Sequence, residues 1–203
     1  MQAERGPMVP HLLYKDRSNR RHSSYIVQQQ RYFEQFKPRT PDRRCVSGET
    51  HLYLGRQYRL RVVRASIACV KLLYGYIVVQ STAPQDSSKT KRLVELWYAQ
   101  KAKVRFQERI EFCIERFPQP KAITLNGVSL RLMRRRWGSM SPGRRLLLNL
   151  RLIQAPVDAI DYVITHELCH LFEHDHSPRF YRLLSGVMSD WKHRKARMER
   201  FLS

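Results

Sequence analysis

Acidic residues are scarce in this chain of 203 residues. Asp and Glu total 17 against 38 Lys and Arg, for a formal net charge of +21. Between Glu115 and Asp158 there is no acidic residue, while nine Lys or Arg occur. Such a deficit attracts polyanions, so DNA or RNA held non-specifically on a basic surface is one candidate partner. A solvated basic face is the plain alternative. The aromatic-basic interleaving of a base reader is missing, which argues against sequence-specific recognition. Cysteine is sparse too. Cys45, Cys69, Cys113 and Cys169 are widely spaced with no C-x-x-C pair, which argues against a zinc ribbon and against a dense disulfide framework. Long apolar runs are absent. Met1 to Pro10 has no apolar core of a secretory signal, and the most apolar run, Ala65 to Val79, is broken by Lys71 and too short to cross a bilayer. The expectation is a soluble, cytoplasmic protein with no membrane partner and no internal repeat.

What is present is enough apolar residue, 42%, for one buried core. Residues 1–44 carry ten Lys or Arg and prolines at 7, 10, 38 and 41, and read as a basic, polar extension. A short helix over Tyr25 to Phe36 could dock on the body. Residues 45–203 read as the folded domain. Tyr58-Arg59-Leu60-Arg61-Val62 alternates with the period of a half-buried strand. Val70 to Leu73 and Tyr76 to Val79, around Gly75, complete an expected β-meander. From Thr90 the period becomes helical, with Leu93, Leu96, Trp97, Ala102, Val104, Phe106, Ile110 and Ile114 as the apolar face and Pro118 as the stop. Cys113 belongs to the same core. Asn126-Gly127 between two short apolar runs predicts a hairpin, and Leu146 to Ile153 predicts another strand.

The chemistry gathers in His166-Glu167-Leu168-Cys169-His170. On a helix, residues four apart share a face, so two imidazoles can hold one Zn²⁺ with Glu167 beside the water the metal binds. Pro156 and Asp158 suit the first turn of that helix. Val157, Ile160, Ile164, Leu168 and Leu171 recur at helical spacing, with the histidines well away from the centre of that stripe. A third ligand is needed. His174 continues the row but lies about 6 Å too far along a straight helix. His176 can reach back if the helix ends near Glu173 or His174 and turns at Asp175 before Ser177-Pro178. That geometry favours His176 and leaves His174 as a group behind the ligands or on the substrate side. The metzincin pattern H-E-x-x-H-x-x-G-x-x-H has its third histidine at the position of His176, but its glycine position holds Glu173. A thermolysin-type site would need a later glutamate, and after Glu173 only Glu199 follows.

Further motifs surround this stretch. They are Val46-Ser47-Gly48-Glu49-Thr50, Tyr53-Leu54-Gly55-Arg56-Gln57-Tyr58-Arg59-Leu60, Arg136-Trp137-Gly138-Ser139, Leu148-Asn149, Ala155-Pro156, Asp161 to Leu171, His176-Ser177 with Phe180, and Asp190-Trp191. In that order they resemble the YgjP-like metallopeptidases, relatives of the SprT-like zincins, over about residues 45 to 203. The resemblance implies a compact zincin-like α+β domain, a small mixed sheet packed on the H-E-x-x-H helix and further helices. It implies His166, His170 and His176 as ligands of one zinc and Glu167 as the catalytic glutamate. The activity implied is zinc-dependent hydrolysis of protein or peptide, endopeptidase rather than exopeptidase, with Glu167 as general base toward the zinc-bound water. Trp137-Gly138-Ser139 could form an edge strand that pairs with extended substrate, although core packing is the simpler reading of Trp137. Arg134 to Arg136 could face an oxyanion or phosphate, with a solvated basic face as the equal alternative. The rival expectation is a basic nucleic-acid-binding protein whose zinc is structural or catalytically vestigial. SprT-like relatives that act on DNA-bound proteins join the two, with a basic surface delivering a peptidase to nucleic acid.

Overall fold

The computed structural model describes residues 43–202. The helix expected over Tyr25 to Phe36, and nearly all of the extension, lie outside the described residues. Within them the fold is α+β, with two small mixed sheets and several helices.

Two tight turns build the first sheet. Leu54-Gly55 joins β1 (Thr50–Tyr53) to β2 (Arg56–Arg64), and Tyr74-Gly75 joins β3 (Cys69–Leu73) to β4 (Tyr76–Ser81). Both residues of each turn have positive φ: 49° and 80° in the first, 47° and 80° in the second. That is the mirror-image turn whose twist matches a hairpin. The sheet order is β1-β2-β4-β3, with β2 and β4 parallel and the outer pairs antiparallel. The expected meander is therefore corrected, since β4 rather than β3 lies beside β2. β4 buries Ile77 and Val79 completely, whereas Lys71, Leu72 and Leu73 of β3 are exposed. The more apolar strand takes the position paired on both sides, and the lysine-bearing strand takes the edge.

α1 (Ser87–Ile114) starts at Asp86, whose carboxylate accepts the Lys89 N–H at 3.0 Å. Trp97, Ala102, Phe106, Ile110 and Cys113 are buried as expected, but Leu96 and Val104 are 60% and 59% exposed. Leu96 lies midway between buried Val94 and Tyr98, and Val104 midway between buried Ala102 and Phe106. At about 100° per residue each therefore projects from the opposite side.

The second sheet has the order β5-β7-β6, from β5 (Gly127–Arg131), β6 (Gly138–Met140) and β7 (Arg145–Asn149). β5 is parallel to β7 and β6 antiparallel to it. Asn126-Gly127 closes no hairpin. The Asn126 main-chain N–H donates to Arg144 O at 2.9 Å and its side chain to Gly143 O at 2.9 Å. The Arg144 guanidinium takes the Thr124 and Ala122 carbonyls at 2.8 and 3.1 Å, so residues 123–125 form no strand. The strand expected to Ile153 ends at Asn149. Its Oδ1 accepts the Arg151 N–H at 3.1 Å, and Leu150–Gln154 winds as a 3-10 turn.

α2 (Val157–Cys169) follows, with Pro156 at its N-cap and Asp158 in its first turn. Ile160, Ile164 and Leu168 are fully buried and Val157 is 36% exposed. Ala159, Tyr162 and Val163 are buried too, because α2 runs between α1, β6, α3 (Pro178–Val187) and α4 (Trp191–Leu202). Two contacts fix it. Arg109 of α1 makes two 2.7 Å bonds to the buried Asp161 carboxylate. The β1–β2 turn hooks its entry, Leu54 and Gly55 donating to Ile153 O and Gln154 O at 3.0 Å each. A Cβ on Gly55 would fall 2.9 Å from Pro156 Cα, so only glycine allows this approach.

Candidate metal centre

The last α-helical residue of α2 is Cys169, with His170 at the C-cap (φ −67°, ψ −9°). The His170, Leu171 and Phe172 N–H groups bond to the carbonyls of Glu167, Leu168 and Cys169 at 3.2, 3.0 and 3.0 Å. The final turn thus tightens to a three-residue step, and one more bond, from the Glu173 N–H to Cys169 O at 3.0 Å, closes it before the chain turns away. This corrects the expected end near Glu173 or His174 by about one turn. With the reversal spread over residues 171–175, Glu173 is not among the residues of positive φ. No glycine is needed there. Ser177 then caps α3, accepting the Phe180 N–H at 3.4 Å, and Pro178 occupies the first turn.

This path brings His166, His170 and His176 together, with one ligand nitrogen from each lying within 4.8 Å of the others. Ring centroids are 5.1 Å apart for 166–170, 4.8 Å for 166–176 and 4.7 Å for 170–176. Phe180, wholly buried, floors the cluster at 4.9, 4.8 and 4.7 Å from the three rings. The Nε2 atoms of His166 and His176 face each other at 2.8 Å. His170 Nδ1 lies 3.0 Å from Glu173 O, so it donates there and leaves Nε2 for the cluster. Burial first, then the neighbouring imidazoles, lowers His166 well below 6.5 and His176 to about 4. Burial likewise lowers His170. Three neutral imidazoles with converging nitrogens are a donor set that fits Zn²⁺, whose Zn–N bonds are about 2.0–2.1 Å.

Glu167, on the same turn of α2, packs against β6. Burial raises its carboxyl to about 8, opposed by the Met140 N–H, which donates to it, and by the charge of Arg136. Gly138 is packed on it. A Cβ there would lie 2.7 Å from Glu167 Cγ and 2.9 Å from Oε1. β6 is an edge strand. Trp137 O and Ser141 N bond toward β7 at 2.9 and 3.0 Å, so the alternate residues Gly138 and Met140 turn their main-chain groups outward. The loop leading in is held by Asn149, whose buried side chain donates to Met133 O and Arg136 O at 2.8 and 2.9 Å.

Trp137 packs on the core as a half-buried ring. Arg136 is exposed, with Nη1 3.5 Å from Ser139 Oγ. His174 is exposed and stands outside the three-histidine cluster. Glu199 lies on α4 with its carboxylate 3.7 Å from Lys195 Nζ and is likewise outside the cluster. Cys169 is fully buried and joins neither cluster. Phe180 and Met140 were given no part in this site by the sequence. The spacing of His176 and Phe180, one helical turn apart, was the available signal for the first. A main-chain donor such as Met140 leaves none. A second group, Cys45, Glu49 and His51, also has ligand atoms within 4.8 Å of one another.

The family model described as YgjP-like, metallopeptidase domain, matches residues 15–201, beginning inside the segment read as an extension. No curated protein and no solved structure matches the chain. Among the described residues no helix is long and apolar enough to cross a membrane.

Proposed function

The chain belongs to the YgjP-like metallopeptidase family, and from that premise we propose that it is a zinc-dependent endopeptidase of zincin type. In this reading His166, His170 and His176 hold one Zn²⁺, α2 is the active-site helix and Glu167 is the general base. The observation that carries it is the convergence of three imidazoles over Phe180 with a buried carboxylate at the same helix end. When bound, Zn²⁺ supplies Lewis acidity for the scissile carbonyl and acidifies a coordinated water.

The chain's own residues do the rest. Glu167 takes the proton of the attacking water and returns it to the leaving amine. The Met140 N–H fixes the carboxylate's direction and, with the charge of Arg136, favours its ionised form against the effect of burial, as a cation held by the histidines would too. The outward-facing main-chain groups of β6 other than the Met140 N–H pair with an extended peptide, and Gly138 lets the strand lie directly on Glu167. Arg136, on the same side and exposed, adds positive charge where negative charge develops. His174 stays on the substrate side and off the metal. Cleavage of an unfolded protein substrate should stop on chelation and return with added zinc. Cleavage indifferent to a chelator that strips the metal would refute the reading.

A second reading has one observation in its favour. Arg131, Arg134, Arg135, Arg136, Arg145 and Arg151 are all exposed in the acid-free stretch. They would form a basic face that brings the peptidase to nucleic acid, or that alone is the function if the zinc is structural. Retention on DNA should then weaken steeply with salt. Binding that ignores salt would exclude this face as its cause.

A further inference from the structure

From Cys45, Glu49 and His51 we infer a second zinc site, separate from the three-histidine cluster and made before and within β1. The Cys45 thiol, a Glu49 carboxylate oxygen and a His51 ring nitrogen lie within 4.8 Å of one another. Cys45 and His51 are 4% and 2% exposed. His51 Nε2 is a buried polar atom with no hydrogen-bond partner among the described residues, and the Glu49 oxygen nearest to it is 3.5 Å away. A buried ring nitrogen left in this state asks for a partner, and a metal ion between it, the carboxylate and the thiol provides one.

The turn that carries the ligands is built for convergence. Cys45 has a φ of 55° and its N–H donates to Glu49 Oε2 at 2.6 Å, folding residues 45–49 back on themselves. The Glu49 N–H closes the turn on Val46 O at 3.2 Å, and Gly48 is tied to Leu60 O of β2 at 2.8 Å. His51 of β1 follows Glu49 by two positions, a spacing that puts both side chains on one face of the chain as it enters the strand. Thiolate, imidazole and carboxylate together are a donor set suited to Zn²⁺, and their two negative charges balance its charge. One ligand position remains for solvent. The Arg43 guanidinium, bonded to Thr50 O, and Lys91 are nearby cations the site must tolerate. Because the ligands bridge a turn and a strand, the ion's effect is to clamp the segment before β1 onto the first sheet.

Metal analysis of the full chain after zinc loading and dialysis should find about two zinc ions per chain, falling to about one in Cys45→Ser. The two clusters differ in sulfur, which provides a test that does not depend on stoichiometry. Cobalt-loaded protein should show a thiolate-to-cobalt charge-transfer band that Cys45→Ser abolishes and Cys69→Ser leaves intact. The His51→Gln variant should lower the zinc count as Cys45→Ser does. If either variant fails to fold, X-ray absorption on the unaltered zinc protein should find sulfur near 2.3 Å at about half an atom per zinc. A zinc content that Cys45→Ser leaves unchanged, a band that survives Cys45→Ser, or scattering from nitrogen and oxygen alone would overturn the second site. None of these results depends on peptidase activity, so they separate this inference from the proposed function.

Discussion

Gly138 and Glu167 are packed so closely that a methyl group on the glycine would lie 2.7 Å from the glutamate's Cγ. An edge strand and the helix end thus meet at the buried Glu167 carboxylate. The Gly138→Ala variant should push Glu167 off the Met140 N–H while leaving the three imidazoles alone. We expect a loss of hydrolysis of about tenfold or more with zinc content unchanged. Parallel assays of cleavage and metal check this, and full activity would show that the contact does not matter.

Asn149 holds the loop before β6. Its side chain is buried, donates to two carbonyls and accepts the Arg151 N–H. Asn149→Ala strands those groups, and should lower stability by about 2–3 kcal/mol in denaturant unfolding. Asn149→Asp should not rescue it, because the carboxylate repels the Met133 and Arg136 carbonyls.

The third ligand separates two histidines that differ by two positions. His176→Ala should lower zinc affinity by several orders of magnitude, as loss of one of three ligands does, while His174→Ala should keep the metal. Competition with a chelator of known affinity measures both. Equal loss in the two variants would contradict the assignment of His176.

Removing metal should expose a pH dependence with a defined sign. Burial raises Glu167 from 4.5 to about 8, so the folded chain keeps a proton that the unfolded chain has lost. Stability from this group therefore falls as pH climbs from about 4.5 to about 8. The imidazoles act the other way. Lowered from 6.5, with His176 at about 4, they make stability rise with pH up to about 6.5. Of these four groups only the glutamate still titrates above that pH, so its contribution to the stability of metal-free protein should fall toward about pH 8, by at most about 1.4 kcal/mol per pH unit. Denaturant midpoints across that interval check the sign. Glu167→Gln should flatten the curve, and a wild-type midpoint that rises would contradict it.

Much of this was legible in the sequence because it rests on period and spacing. Ile160, Ile164 and Leu168 marked the buried face of α2, and Trp97, Phe106 and Ile110 that of α1. What stayed hidden depends on partners far away in the chain. That β4 would lie between β2 and β3 follows from which strand buries more on both faces, and local alternation does not reveal it. Asn126-Gly127 carries a hairpin signal that the Arg144 guanidinium overrides by taking the Thr124 and Ala122 carbonyls. The end of α2 at Cys169 has no glycine or proline to announce it. The pairing of Gly138 with Glu167 joins residues with no sequence pattern between them, and only the packing of β6 on α2 brings them together.

The most direct test of the proposed chemistry is Glu167→Gln, with zinc content and cleavage of an unfolded protein substrate measured on the same preparation. The substitution keeps the shape of the side chain and removes its ability to take a proton. Wild-type zinc content with cleavage reduced by about a hundredfold or more is the expected result. Cleavage at the wild-type rate by the zinc-loaded variant would contradict Glu167 as the general base.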